Sequence, residues 1–529
     1  MPTQADINFE KELWETAVTL RGTVSPADYK HYVLPLLFLR YLSLRYEERH
    51  QQLELLLADP KSEYYTGDPE IDREILDDPG EYTLANVFVL PVEATWAYLR
   101  ANARADDIKL KLDNAMRLLE EAYPEKLSGV LPRIYAASNL SVDQTAGLIS
   151  LFSKEIFADR NGADRLGRTY EYFISNFAST EGNRGGEFFT PSSIVRLLVE
   201  MLEPAEGQKI FDPACGSGGM FVQSARFTGG GDPYSTNGGA SHSGLSFYGQ
   251  ERIENTLRLG RMNLILHGLD GDIRLGDSLL NDNHPALKAD IVIANPPFNL
   301  RGWGAGKIDP KDQRLQIAYG RGQVTDGNAN YMWMMHFLHH LADGGSAGYV
   351  MANGAMTTNT SEEKSTRQAL VDGGLVDCIV QLPDKLFFGT GIPCCLWFLS
   401  RNRRGTHGYR YRAEEILFID ARQMGQMVSR RQRALGNDDV ARIADLYRRY
   451  KRYDVPEDEP GFCKVAALDE VQAHDYKLTP GIYVGTQADD EDDEAFEEKM
   501  PRLVEELREL FARSDALQAQ ILADLEGLS

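Results

Sequence analysis

This chain has little of what would bind structural zinc, cross-link a secreted fold or span a membrane. Its five cysteines, at 215, 378, 394, 395 and 463, make no CxxC pair, and no HExxH occurs. Zinc fingers and a disulfide framework are therefore set aside, and reduced, mostly buried thiols are expected. The longest compact apolar stretch, Tyr32 to Leu39, contains Pro35. It falls far short of the roughly 20 residues a membrane span needs. Met1 to Leu13 lacks a basic start and a continuous apolar run, so no secretory signal is read there and a cytoplasmic location is expected. No Walker A sequence is present, which excludes a P-loop motor. Positive charge is scarce as well: 56 Lys and Arg stand against 79 Asp and Glu, a formal net charge of −23. Affinity for nucleic acid comes largely from Lys and Arg neutralising phosphates, so such a ligand would need a basic partner or a local basic surface.

What is present is enough for several packing units. At 529 residues, 43% apolar and 26% charged, the chain exceeds what one core usually holds. Residues 7 to about 160 read as helical, with apolar residues three and four apart at Leu34, Leu37, Phe38, Tyr41 and Leu42, then at Leu112, Met116 and Leu119. Asp59 to Gly80, rich in Asp, Pro, Gly and Glu, reads as an exposed connection. From about Gly207 short apolar runs alternate with helices: Lys209–Asp212, Leu245–Gln250, Ile273–Asp277, Asp290–Ala294, Tyr349–Ala352, Val376–Leu382, Leu396–Ser400 and Ile416–Asp420. That alternation predicts an α/β fold, a mostly parallel sheet with helices on both faces. The divisions expected are an all-α unit at 1–165, an α/β unit at 166–486, and an acidic linker with an amphipathic helix at 487–529. Leu503, Leu507, Leu510, Leu517, Ile521 and Leu528 give that last helix an apolar seam, for its own domain or for another chain. Gly229 to Gly244 is a low-complexity insertion read as a flexible loop.

Chemistry concentrates at the strand ends. Asp212-Pro-Ala214-Cys-Gly216-Ser217-Gly218-Gly219 follows the first strand and opens a helix, where an α/β sheet binds a cofactor. Phe221 stands where a dinucleotide fingerprint needs its last glycine, so a pyrophosphate ligand is disfavoured. Glu251 and Asp277 end the second and third strands; each suits either a hydroxyl or amine of a ligand, or a cap on the next helix. The fourth strand ends in Asn295-Pro296-Pro297-Phe298. Two prolines remove two N–H donors, leaving carbonyls and the Asn295 amide to converge on a small donor such as an amine, with Phe298 to stack on its ring. His339 and His340, on a predicted helix, are read as packed or exposed, with no metal expected.

These motifs, in this order, resemble the amino-group DNA methyltransferases, and the match extends to the methylation subunits of type I restriction-modification systems. Gly185-Gly-Glu187-Phe188-Phe189-Thr190-Pro191, the Leu382–Pro393 segment LPDKLFFGTGIP, and Asp475-Tyr-Lys-Leu-Thr-Pro-Gly-Ile-Tyr-Val are similar to that branch. The resemblance implies a Rossmann-like core that uses S-adenosyl-L-methionine, held by Glu187, Phe188, Phe189, Thr190, Pro191, Ser192, Asp212, Ala214, Gly216, Ser217, Gly218, Gly219, Glu251 and Asp277. It makes Asn295, Pro296, Pro297 and Phe298 the catalytic group for N6 of a flipped-out adenine in double-stranded DNA. Phe388 becomes a second stacking candidate, or an ordinary core phenylalanine. The implied partners are a specificity subunit, shared by two methylation subunits, and a motor-nuclease restriction subunit. Cys215 faces the cofactor turn and is not read as a nucleophile. Alternatives are a self-sufficient adenine methyltransferase, a protein-glutamine methyltransferase, and a silent cofactor-binding scaffold.

Overall fold

The computed structural model describes residues 4–22, 24–154, 157, 162–181, 190–229, 244–316, 324–387, 392–406, 408–430, 432–485 and 508. The chain divides into a compact unit of residues 1–484 and a second of 485–529. Glu187, Phe188, Phe189 and Phe388, most of the Gly229–Gly244 insertion and the terminal apolar seam lie outside the described residues.

The helical part of the first unit contains Gln4–Leu20, Pro26–Ala58, Ile108–Ala122, Val142–Leu151 and Gly162–Glu181. Ser25 starts the longest of these: its hydroxyl accepts the Asp28 N–H at 3.2 Å, and Pro26 sits in the first turn where its missing donor costs nothing. The three- and four-residue spacing does bury Leu34, Leu37, Phe38, Leu112, Met116 and Leu119. They share one core with Leu259, Met262 and Leu266, so the helical part packs on the helix Glu254–Leu266 of the α/β part. Each fully buried leucine there is worth roughly 1.5–3 kcal/mol. Asp59–Gly80 departs from the expected plain connection, because Pro69–Asp77 is helical. Asp68 caps it through the Glu70 N–H at 2.8 Å and Pro69 occupies the first turn, a start signal hidden in loop-like composition.

The sheet has nine strands among the described residues. In chain order β1 is Lys209–Asp212, β2 Ser246–Glu251, β3 Gly271–Leu275, β4 Ala289–Ala294, β5 Leu341–Ala352, β6 Val376–Gln381, β7 Cys394–Ser400 and β8 Glu415–Asp420. A two-strand ribbon follows, β9 (Gln426–Met427) and β10 (Arg433–Ala434), and β11 (Cys463–Ala467) closes the sheet. The order across it is β11-β8-β6-β7-β5-β4-β1-β2-β3. The strands β3, β2, β1, β4 and β5 run parallel, β7 is antiparallel to both β5 and β6, and β8 is parallel to β6. Hence β1, β4, β6 and β8 all present their carboxyl ends at one edge. Strand order reverses between β1 and β4, the switch point where open α/β sheets bind ligands. Apolar cores cover both faces, one holding Ile210, Ile291 and Ile293, the other Phe211, Val292 and Ala294.

Candidate active site

At the end of β1 the backbone turns sharply through Gly216 (φ 54°) and Gly218 (φ 76°) into the helix Gly219–Gly229. Side chains rarely adopt these dihedrals, which is why glycines stand there. A Cβ built on Gly216 or Gly219 meets no atom within 4 Å, so the turn faces open space into which a ligand can approach the backbone. Glu251 braces it from β2: Oε2 accepts the Gly216 N–H at 3.1 Å and Oε1 the Ile253 N–H at 2.8 Å. Asp212 is 2% exposed and accepts the Ala214 N–H at 2.9 Å. Burial, with Glu251 nearby, pushes its carboxyl up to about 8. All five thiols are buried, and burial raises that of Cys215 well above the ordinary range, which suits packing and not nucleophilic attack.

Asp277 is half-buried beyond β3, and its Oδ1 caps the following turn through the N–H groups of Leu279 and Leu280 at 3.1 and 3.2 Å. The capping reading thus holds for one of its oxygens. Ser278 donates to the Pro213 carbonyl at 2.6 Å and ties this strand end to the glycine turn.

Asn295 follows β4, whose Val292 is in register with Phe211 of β1, so it emerges beside Asp212 at the switch point. The Asn295 side-chain NH2 donates to Thr190 Oγ1 at 2.8 Å. Thr190 therefore meets Asn295; Pro191 is buried and Ser192 is exposed at the start of the helix Ser192–Leu202. Pro296 is buried, and Phe298 is 6% exposed with its ring edge-on to Phe387, centroids 5.9 Å apart.

Three residues that sequence reasoning passed over hold these turns in place. Gly260 lies inside the helix Glu254–Leu266, where a Cβ would come within 2.8 Å of the Gly216 carbonyl, so only glycine lets this helix rest on the turn. Asn263, one turn further on, donates to the Ser217 carbonyl at 2.9 Å. Asn330 is 1% exposed and locks the residue after the Asn-Pro-Pro-Phe run, accepting the Asn299 N–H and donating to Asn299 Oδ1, both at 3.0 Å. A glycine in an otherwise apolar-faced helix was the available signal for Gly260; long-range asparagine pairing leaves none.

The helix Asn330–His340 also buries His336 and His340 beside Asp282, with possible ligand atoms within 4.8 Å of one another. Both ring nitrogens of His340 are engaged, one with Asp282 at 3.0 Å and one with the Leu287 carbonyl at 3.0 Å. Arg314 directs Nη1 at His336 Nδ1 from 3.3 Å, setting a permanent positive charge against the cluster, which fits an interlock between the β3–β4 connection and this helix better than a metal centre.

Residues 161–492 match the N-6 DNA methylase family, and residues 9–153 match the HsdM N-terminal domain. The chain is 40% identical over 524 residues to a type I restriction enzyme methylase subunit of Methanocaldococcus jannaschii, spanning 98% of this chain and 91% of that one. A type I restriction enzyme methylase subunit of Haemophilus influenzae is 40% identical over 443 residues, spanning 79% and 94%. A type I restriction-modification methyltransferase subunit from Streptococcus thermophilus shares the fold with a TM-score of 0.70 at 21% identity, over 90% of this chain and 99% of that one. The fold, the family models and these relatives place the chain in one class, the N-6 DNA methylase family. Within it, the chain belongs to the type I restriction enzyme methylase subunits. No described helix is long and apolar enough to cross a membrane.

Proposed function

We propose that this chain takes a methyl group from S-adenosyl-L-methionine and places it on N6 of a flipped-out adenine in double-stranded DNA, guided by a separate specificity subunit. The observation that carries the reading is Asn295, standing at the switch point beside the glycine turn with its NH2 committed to Thr190. The amide oxygen is thereby turned from Thr190 and is the atom suited to accept a hydrogen from a substrate amine, with the Pro296 carbonyl as the second acceptor. Withdrawing those hydrogens raises lone-pair density on the amine, and Phe298 steadies the ring that carries it.

The turn fits the cofactor in shape and charge. The open space before Gly216 and Gly219 admits a ligand to the backbone, and buried Asp212 becomes a counter-charge when a cation approaches. Glu251, a carboxylate at the end of β2 that already braces the turn through two backbone N–H groups, is assigned to the ribose hydroxyls. Asp277 Oδ2 is assigned to the adenine amine of the cofactor, and Thr190, Pro191 and Ser192, with Glu187, Phe188 and Phe189, to its methionine end. When bound there, the cofactor would supply a methyl on a sulfonium sulfur, the nitrogen–carbon bond forming as the sulfur–carbon bond breaks and one N6 proton passing to solvent. Positioning supplies most of the acceleration.

The net charge of −23 is the reason to assign DNA reading to a partner. Two copies of this chain around one specificity subunit, joined by a motor-nuclease subunit for restriction, is the assembly we assign. Methyl transfer to mixed-sequence DNA by the chain alone and with a co-expressed specificity subunit tests this. Activity only in the second sample is expected; equal activity in both would make the chain self-sufficient.

A further inference from the structure

At the carboxyl edge of the sheet one element serves neither core nor cofactor turn. The ribbon β9–β10 pairs Met427 with Arg433 and Gln426 with Ala434, and its tip reads Val428-Ser-Arg430-Arg431-Gln432. Met427 is 44% and Val428 61% exposed, and Arg430 is exposed with no ion pair among the described residues. The root of the ribbon is firmly placed. Gly425 has φ 80°, and a Cβ there would meet the Ala434 carbonyl at 2.9 Å, so glycine alone permits the close pairing. Arg433 donates its backbone N–H to the Lys385 carbonyl at 2.9 Å and Nη1 to the Met424 carbonyl at 3.0 Å, and the neighbouring Leu435 is buried. Lys385 lies two residues before Phe387, whose ring meets Phe298. Backbone and ring contacts therefore lead from the ribbon directly to the substrate end of the site.

We infer that this ribbon is a DNA contact, with Arg430 on a backbone phosphate and Met427 and Val428 against the groove beside the adenine held by Asn295. The inference rests on the adenine-methylation reading. In a strongly acidic chain, an arginine with no carboxylate partner among the described residues, next to exposed apolar side chains, fits a polyanion with an apolar groove wall. Proteins that open a duplex combine arginines with apolar wedges in this way. Lys385, with its side chain 49% exposed, adds a second cation at the root, while Asp384, 4.0 Å from it, offsets part of that charge.

The test uses the complex of the chain with its specificity partner, the Arg430→Ala and Arg430→Lys variants, and fluorescence anisotropy of a labelled duplex over a potassium chloride series. Arg430→Ala is expected to weaken DNA binding several-fold and to reduce the slope of log affinity against log salt by about 1. Arg430→Lys keeps the slope, and affinity for S-adenosyl-L-methionine is unchanged in both. An Arg430→Ala complex with unaltered DNA affinity and slope overturns the inference. So does one that sheds the specificity subunit while its DNA slope is unaltered, since the ribbon would then dock protein. A wild-type complex that binds DNA but methylates no adenine sinks the underlying reading and leaves the ribbon's contact to be judged on the variants alone.

Discussion

Replacing Gly260 with alanine separates the packing of the cofactor turn from the stability of the helix beneath it. The added Cβ falls 2.8 Å from the Gly216 carbonyl oxygen. A relaxed carbon–oxygen contact is about 3.3 Å or more, so turn and helix must part by roughly half an ångström. Alanine gains about 1 kcal/mol of helix propensity over glycine, while overpacking costs about 1–3 kcal/mol. The net effect on stability runs from nothing to about 2 kcal/mol lost. Binding has no such offset. The displaced backbone is the one whose N–H is held by Glu251, and an affinity loss of about 10- to 100-fold is expected, about 1.4–2.8 kcal/mol. Calorimetric titration with S-adenosyl-L-methionine beside a thermal melt reads both quantities. A variant that melts higher and binds the cofactor as tightly as the wild type would refute the reasoning.

Asp212 makes cofactor affinity depend on pH: its carboxyl is raised from 3.8 to about 8, so a cationic ligand must drive off a proton below that value, and affinity should rise by up to about tenfold per unit towards pH 8. The same shift lets the folded chain hold a proton that the unfolded chain has lost, so this contribution to stability is full below pH 3.8 and declines, by about 1.4 kcal/mol per unit, as pH rises to about 8. Melts of Asp212→Asn should lack that part of the pH dependence. Asn330→Ala should lower kcat about 10- to 100-fold with cofactor affinity unchanged, because Asn299 loses its two bonds to Asn330 at 3.0 Å, each worth about 1 kcal/mol, and keeps only the longer one from Asn328 at 3.4 Å; equal kcat in steady-state assays would contradict the role given to it. Asp377→Ala should destabilise by about 3–5 kcal/mol in a denaturant titration, since it strands the buried Arg412, which donates to Asp377 at 2.8 and 2.9 Å.

Much of the frame was legible from local pattern. The β1 expectation, Lys209–Asp212, coincides with the observed strand, because a polar start, an apolar middle and a glycine turn fix both ends. The strand expected at Tyr349–Ala352 starts at Leu341 instead: Leu341 pairs with Ala289 of β4, the register then shifts past Asp343, Gly344 and Gly345, which look like a turn, and pairing with β4 and β7 resumes at Ser346, while Arg401 N–H and Asn402 Nδ2 donate to the Gly345 and Gly344 carbonyls. Strand β11 went unread, since Cys463–Ala467 is a short edge of mixed burial. The antiparallel direction of β7 depends on which neighbours it meets, which no local pattern carries. Asp212 and Asn295 stand out in the sequence because each directly precedes a proline at the end of an apolar run, and Glu251 because it closes β2; their roles toward ligands stay proposals. Gly260 and Asn330 do not stand out, because their partners lie 44 and 31 positions away in the chain, at Gly216 and Asn299. For Phe388 the neighbouring Phe387 is the described aromatic beside Phe298, and the stacking role of Phe388 stays a proposal.

The most direct test of the central claim is the transfer of labelled methyl groups to N6 of adenine in duplex DNA by the complex carrying wild-type chain or Asn295→Ala. Loss of transfer by at least about 100-fold, with S-adenosyl-L-methionine and DNA still bound, is the predicted result. Transfer by the variant at the wild-type rate, or a methyl group found on any other atom of the DNA, would contradict it.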